Sequence, residues 1–320
     1  MGVFKFAIMG AGNIAGRLCE AAALLPDCEV CAVASKSLER AEKFAKANGL
    51  ERFYDDYETM LEREKPDCVY IAVTPNDHAH LSLLCIAHGV PVLCEKAMFQ
   101  NSAEAREVYR AAAEKKVFVM EALWSRFLPP VNKVREWIQD GKIGTPVFSQ
   151  FNIGFAAPED PENRYYNPKL GGGATKDVTV YAYEITTYVL QQAIRNLSVS
   201  ATWSDTGVDL SNHVSIQFED TLADLACSFA ARLDDCMTIY GKKGKIVLPL
   251  PHYSTECFLY DADRNLVEHF VDEETKNGFT YEMLESMRCI REGKTESAVV
   301  PWADTLACAE LFDRIDAAKS

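Results

Sequence analysis

The chain has 320 residues, long enough for two domains, and an ordinary globular composition with 48% apolar and 25% charged residues. Its 47 acidic residues outnumber 33 basic ones for a formal charge of −14, and no basic stripe offsets this, so nucleic acid and anionic membrane surfaces are excluded as partners. No apolar run approaches the roughly 20 residues of a bilayer span, and the start MGVFKFAIMGAG lacks the parts of a signal peptide, so a cytoplasmic protein is expected.

In chain order, Phe4 to Met9 reads as an apolar strand, followed by a helix with Ile14, Leu18, Ala22 and Leu25 on one face. Glu29 to Ala34 is a second strand. Ser37 is placed to cap a helix bearing Leu38, Ala41 and Ala45, which Gly49 ends. Cys68 to Val73 is a strand, with a helix from about Asp77 to Ala87 and a stop at Gly89. Val90 to Cys94 is the next strand, then a helix opened by Asn101 or Ser102, then a strand at Val117 to Met120. Strands interleaved with helices predict βαβ units and a parallel sheet.

After about Leu123 the pattern changes. A helix around Val131 to Asp140 leads into the β-rich runs 145–155, 197–203, 214–218, 222–229, 237–240, 245–248 and 257–260. Close turn signals such as Glu219-Asp220 and Gly241-Lys242-Lys243-Gly244 predict an antiparallel sheet. One strong helix, about Ala174 to Gln192, interrupts it, and two more close the chain.

Eleven scattered cysteines, an odd number, do not read as a disulfide framework. The one CxxC, Cys28 to Cys31, lies in a predicted strand, where residues three apart face opposite ways. His78 and His80 are the only close histidine pair, and helical i, i+2 spacing turns them apart. Structural thiols and no metal site are expected.

Gly10-Ala11-Gly12-Asn13-Ile14-Ala15 follows the first strand as a GxGxxA turn. Gly10 allows the tight turn, Gly12 lets backbone approach a pyrophosphate, and Ala15 keeps the helix close to the sheet. The helix start at Asn13 and Ile14 supplies amide donors and a positive dipole end. Dinucleotide binding follows. An NAD site wants a carboxylate at the second strand's tip, about 20 residues on. Here Ser35, Lys36 and Arg40 stand there instead, which favours NADP, with NAD as second choice. Ligands of an open parallel sheet bind beyond the strands' carboxyl ends, so Glu95 and Lys96 at the end of VPVLCEKAM, and Thr74, Pro75 and Asn76 at the end of the neighbouring strand, are expected to line the same crevice.

Together IMGAGNIA, AVASKS, AVTPN, VLCEKA, EALWSRF and GGGATKDVTVY resemble the Gfo/Idh/MocA oxidoreductases, with EALWSRFLP and NGFTYE most similar to the branch of dihydrodiol and NADP-dependent xylose dehydrogenases. The resemblance runs from residue 7 to about 282. It implies an α/β protein: a Rossmann doubly wound parallel sheet at 1–123 for NADP, then an α+β domain at 124–320 for substrate. The latter's large, mostly antiparallel open sheet would also form a homodimer interface. It implies that Lys96 matches the lysine of the family's EKP motif, contacting the nicotinamide ribose and assisting proton transfer. Asp177 and Tyr181 match its D-x-G-x-H/Y motif. Ala97 departs from the motif's proline and Thr179 from its glycine, while His78 and His80 both compete for the family histidine position.

The physical reading stands beside the resemblance: Tyr181 taken alone reads as a core aromatic satisfied by a hydrogen bond, and the family context reverses that preference. Asp177 and Tyr181 are i, i+4 on a predicted helix and share a face. A tyrosine titrates near pH 10, and a neighbouring ammonium such as Lys96 lowers that value into a usable range. The expected reaction is hydride transfer between NADP(H) and a secondary alcohol or carbonyl of a sugar, polyol or trans-dihydrodiol. Trp124, Phe155 and Phe279 would form an aromatic wall with Arg164 near the mouth, against ordinary packing as the competing reading. A non-catalytic, dinucleotide-sensing regulator of the same fold is the alternative.

Overall fold

The computed structural model describes residues 2–319. Two compact units are formed, one by the chain up to Trp124 together with Lys276–Ala309, the other by Ser125–Thr275 together with the chain from Glu310.

The first unit holds a six-stranded, wholly parallel sheet of β1 (Phe4–Met9), β2 (Cys28–Ala34), β3 (Phe53–Tyr54), β4 (Cys68–Ile71), β5 (Val92–Glu95) and β6 (Val119–Ala122). Their order in the sheet is β3-β2-β1-β4-β5-β6. The strands from β4 to β6 are buried along their whole length, as sheets covered on both faces require. Helices α1 (Asn13–Ala22), α2 (Leu38–Asn48), α3 (Tyr57–Glu64), α4 (His78–Ala87) and α5 (Ser102–Lys115) connect them. Ser37 accepts from the Arg40 amide to cap α2, and Gly49 ends it in the left-handed conformation. Asn101 rather than Ser102 caps α5, accepting from the Glu104 amide at 3.0 Å. α3 and β3 were not expected. α3 buries only Met60, Leu61 and Glu64, too few apolar positions to set up a helical period.

Residues 276–309, which the sequence reading gave to the second domain, pack with the first unit. Trp302 stacks on Tyr109 with centroids 5.0 Å apart, and its indole N–H donates to the Val119 carbonyl at 2.9 Å. The Thr305 hydroxyl donates to Glu121 at 2.8 Å.

After α6 (Pro129–Gln139), the second unit is an eight-stranded sheet of β7 (Pro146–Gly154), β8 (Ile194–Trp203), β9 (Asp209–Phe218), β10 (Leu222–Ser228), β11 (Cys236–Gly241), β12 (Gly244–Pro249), β13 (Glu256–Asp261) and β14 (Leu266–Val271). The order is β14-β13-β12-β11-β7-β10-β9-β8. Among the described residues its pairs are antiparallel except for β7 with β10. Alternation sends Phe151, Ile153, Val214, Ile216, Leu225, Met237 and Ile246 inward. α6 and α7 (Val180–Leu190) pack against the sheet. The chain closes with α8 (Phe279–Arg291) and α9 (Trp302–Ala317). The helix expected at about Ala174 to Gln192 starts instead as a π-helical turn, Thr175–Thr179, before α7.

Candidate active site

In the first unit the sheet order reverses between β1 and β4, the switch point where such sheets bind ligands. Gly10 sits there at φ +113°, and a Cβ on it would overlap the Ala72 carbonyl. A Cβ on Gly12 would meet nothing within 4 Å, so this backbone faces open space. Gly12 precedes α1 without a side-chain cap, and no acidic residue lies in the first turn. The orphan amides of Asn13 and Ile14 are thereby left to an anion. Ala15 is fully buried beneath them. These residues fit a dinucleotide pyrophosphate.

At the tip of β2, Ser35 is buried, with its amide donating to Tyr54. Lys36 is exposed, but its ammonium lies 2.7 Å from the Asp77 carboxylate. Lys36, Asp77 and Arg40 all act electrostatically on the Tyr57 phenol, which burial pushes above its ordinary value. Sequence reading found two cations here and missed the carboxylate, which arrives from beyond β4. Thr74 leads into a short 3₁₀ turn, Pro75–Asp77, that carries it to this place.

The run VPVLCEKAM ends as expected, with Glu95 the last residue of β5 and Lys96 just beyond it. Glu95 is buried. Tyr70 donates its phenolic proton to one carboxylate oxygen, and the Lys96 amide donates to the other at 3.2 Å. Burial pushes Glu95 up to about 7, while the Tyr70 hydrogen bond and the Lys96 charge oppose that shift. Glu282 of α8 is fully buried as well, and neither of its oxygens has a hydrogen-bond partner among the described residues. Burial first, and Glu95 second, hold its proton on well above the usual carboxylate range.

Of the two histidines left open, His78 is the buried one and His80 is exposed. The His78 ring nitrogens lie 3.0 Å from the Ala97 carbonyl and 3.1 Å from that of Val73. It thus ties the end of β4 to the segment bearing Lys96. Burial lowers its pKa, whereas the two carbonyls favour the protonated ring. Trp124 and Phe279 stack with centroids 5.4 Å apart.

In the second unit, Asp177 lies within the π-turn and Tyr181 in the first turn of α7, so the expected single α-helical face is replaced by a π-to-α junction. The Arg164 guanidinium lies 3.5 Å from Asp177 and packs over the Tyr165 ring at 4.1 Å. Tyr181 is nine-tenths buried, with its ring 5.1 Å from that of His252. Phe155 packs on Tyr165 and Phe229, with centroids 5.3 and 4.9 Å away. The glycine turn earns its composition, because a Cβ on Gly172 would come within 2.6 Å of the Tyr165 carbonyl. Thr179, the departure from the family glycine, is fully buried and hydrogen-bonded to Asn212.

A family model described as an oxidoreductase family with an NAD-binding Rossmann fold matches residues 4–123. A model of the GFO/IDH/MocA C-terminal domain matches residues 131–247. The chain belongs to this family of oxidoreductases. It is 30% identical over 317 residues to trans-1,2-dihydrobenzene-1,2-diol dehydrogenase of Mus musculus, covering 97% of this chain and 95% of the relative. It is 27% identical to the Homo sapiens enzyme of the same name, with the same coverage. Among solved structures, the aldose-aldose oxidoreductase of Caulobacter crescentus complexed with glycerol superposes with a TM-score of 0.90 at 19% identity, covering 99% of this chain and 97% of that one. Levoglucosan dehydrogenase complexed with NADH and levoglucosan gives 0.88 at 18% identity, covering 99% and 96%. A 3-ketoreductase from Actinomadura kijaniata complexed with TDP-benzene and NADP gives 0.85 at 20% identity, covering 98% and 97%.

Proposed function

We propose that the protein is an NADP-dependent dehydrogenase or reductase acting on a secondary alcohol or carbonyl of a sugar, polyol or trans-dihydrodiol. One observation carries this reading. Lys96 follows the carboxyl end of β5, on the same sheet whose switch point holds the open Gly10–Gly12 cradle. Gly10, Gly12, Asn13 and Ile14 would hold the pyrophosphate. Ser35, Lys36 and Arg40 would hold the adenosine end, and Thr74, Pro75, Asn76, Glu95 and Lys96 the nicotinamide side. Bound there, the dinucleotide supplies a two-electron acceptor or donor at its nicotinamide ring.

Tyr181 takes the hydroxyl proton of an alcohol, or returns a proton to a carbonyl oxygen. Lys96 would assist that transfer, because an ammonium beside a phenol lowers its pKa. Asp177, held in check by Arg164, orients substrate hydroxyls, and Trp124, Phe155 and Phe279 supply apolar surface. The names of the relatives, which include a diol dehydrogenase and sugar oxidoreductases, support the substrate class.

We further infer a homodimer through the open face of the second unit's sheet. Tyr260, Lys245, Tyr240, Phe148 and Leu222 align across five strands on that face. Leu222 is 51% exposed. Eleven cysteines suit a reducing cytoplasm.

The deciding experiment is a panel of sugars, polyols and dihydrodiols monitored at the nicotinamide absorbance with both cofactors. Lys96→Met and Tyr181→Phe should each abolish turnover and leave NADP affinity within about threefold. Undiminished rates in either variant would remove its assigned role. Dinucleotide binding with no turnover of any alcohol would favour the sensing alternative.

A further inference from the structure

Asp209 and Asn212 open β9, far in sequence from any motif, and both are buried beneath the π-turn. Asp209 accepts three hydrogen bonds at its Oδ2: from the Thr175 amide at 3.0 Å, from the Thr175 hydroxyl at 2.8 Å and from the Asn212 amide at 2.8 Å. The same Asn212 nitrogen lies 2.8 Å from the Thr179 hydroxyl oxygen, which in turn lies 3.0 Å from the Asn212 Oδ1 that can accept its proton. Asp209 also fills the space beside Gly173, where a Cβ would overlap its Oδ1 and where φ is +114°. Thus one buried network reaches the glycine turn, the first residue of the π-turn and its last.

A π-turn is rare because it widens the helix and weakens its hydrogen bonding, and it persists where surrounding structure holds it. Here the holding groups are explicit. The Thr175 amide, an orphan donor at a helix start, is satisfied by a carboxylate. The Val180 amide reaches back five residues to the Thr175 carbonyl, which closes the wide turn. Asp177 lies inside that turn and Tyr181 just after it, so the angle between these two side chains depends on the extra residue it accommodates.

We propose that Asp209 and Asn212 are positioning residues for Asp177 and Tyr181, acting through the hydroxyls of Thr175 and Thr179 to hold the π-turn open. This rests on the reading of Asp177 and Tyr181 given above, and it gives Thr179 a purpose: where the family has glycine, this chain supplies the hydroxyl that closes the network. A valine at 179 keeps the shape and loses the hydroxyl, whereas a serine keeps the hydroxyl.

The test compares Thr179→Val, Thr179→Ser and Asp209→Asn with wild type in three measurements on the full chain. These are amide hydrogen exchange at residues 175–182, steady-state kinetics over the alcohol panel, and NADP binding. In Thr179→Val and Asp209→Asn, exchange should rise about tenfold or more at the π-turn. Their kcat should fall about tenfold to a hundredfold, with KM and NADP affinity changed less than about threefold. Thr179→Ser should restore both readouts. Exchange and kcat at wild-type level in Thr179→Val and Asp209→Asn would overturn the proposal, and so would faster exchange with unchanged kcat. If wild type turns over nothing in the panel, the reading of the site fails. Exchange then decides separately whether this network holds the turn.

Discussion

Lys36 and Asp77, brought together from the ends of β2 and β4, form an ion pair at 2.7 Å on the edge where a dinucleotide's adenosine would lie. The hydrogen bond to Asp77 raises the Lys36 pKa above its ordinary value. A 2′-phosphate must compete with Asp77 for the Lys36 charge, while a 2′-hydroxyl could donate to Asp77 instead. Replacing Asp77 by Asn should therefore tighten NADP binding about threefold to tenfold and weaken NAD binding. Lys36→Ala should weaken NADP about tenfold and leave NAD nearly unchanged. Fluorescence titration with both reduced cofactors reads the outcome, and equal effects on the two would deny Lys36 a discriminating role.

The carboxyl of Glu95 gives a stability profile opposite in sign to that of a salt-bridged acid. Its folded pKa is raised to about 7 from an ordinary 4.5. Between those values the unfolded chain has released a proton that the folded chain keeps, so stability falls as pH rises through this window. Relative to Glu95→Gln, wild type should lose up to about 3 kcal/mol between pH 4 and pH 8. Burial sets the value first; the Tyr70 hydrogen bond and the Lys96 charge and amide pull it down, and Glu121 pushes it up. Urea unfolding of both proteins at pH 4, 5.5 and 8 measures it, and parallel curves would show that Glu95 ionises in the fold as it does in water.

Arg126 and Glu184 form an ion pair with both side chains fully excluded from solvent, and Arg126 also donates to the Glu184 carbonyl at 3.2 Å. Desolvation offsets much of such a pair's attraction, but deleting one partner strands the other's charge in the core. Arg126→Met should cost about 3–5 kcal/mol, whereas the double variant Arg126→Met with Glu184→Leu should recover most of that loss. Chemical denaturation of the three proteins tests the cycle. A double variant as unstable as the single one would mean that packing, not charge, sets the cost.

Phe148 stands between Tyr240 on β11 and Leu222 on β10 in the open face of the second sheet. If two copies of the chain pair through this face, Phe148→Asp places a charge at the centre of an apolar contact. It should raise the dimer dissociation constant about a hundredfold or more. Sedimentation at micromolar concentration reads this directly, and a wild-type monomer would dispose of the interface.

Much of the first unit was legible because its signals are local. The GxGxxA turn, the Ser37 cap and the Gly49 stop each act within a few residues, and each lies where the sequence puts it. The return of residues 276–309 was not legible, since the periodicity of α8 and α9 says that one face is buried and nothing of what covers it. The π-turn was hidden for a related reason. TKDVT has an unremarkable helical composition, and the groups that widen it, Asp209 and Asn212, arrive more than thirty residues later. Lys96, Asp177 and Tyr181 could be picked out from motifs. Glu282 ends the NGFTYE motif, which assigns it no role, while Asp77 and Asp209 carry no motif, and a lone acidic residue reads as surface until its partners and burial are known.

Among the described residues the second sheet has one parallel contact, β7 with β10, and it constrains the chain between them. Two neighbouring strands that run the same way need a long connection, and here the intervening chain is the stretch that includes the π-turn, α7, β8 and β9. Removing part of that excursion would unzip the sheet at its centre, so its length is under constraint whatever the enzyme's substrate becomes. Change is cheapest in the exposed stretch at 158–162, which stops short of Arg164 and the glycine turn. There, new specificities could be explored while the chemistry's mounting stays fixed.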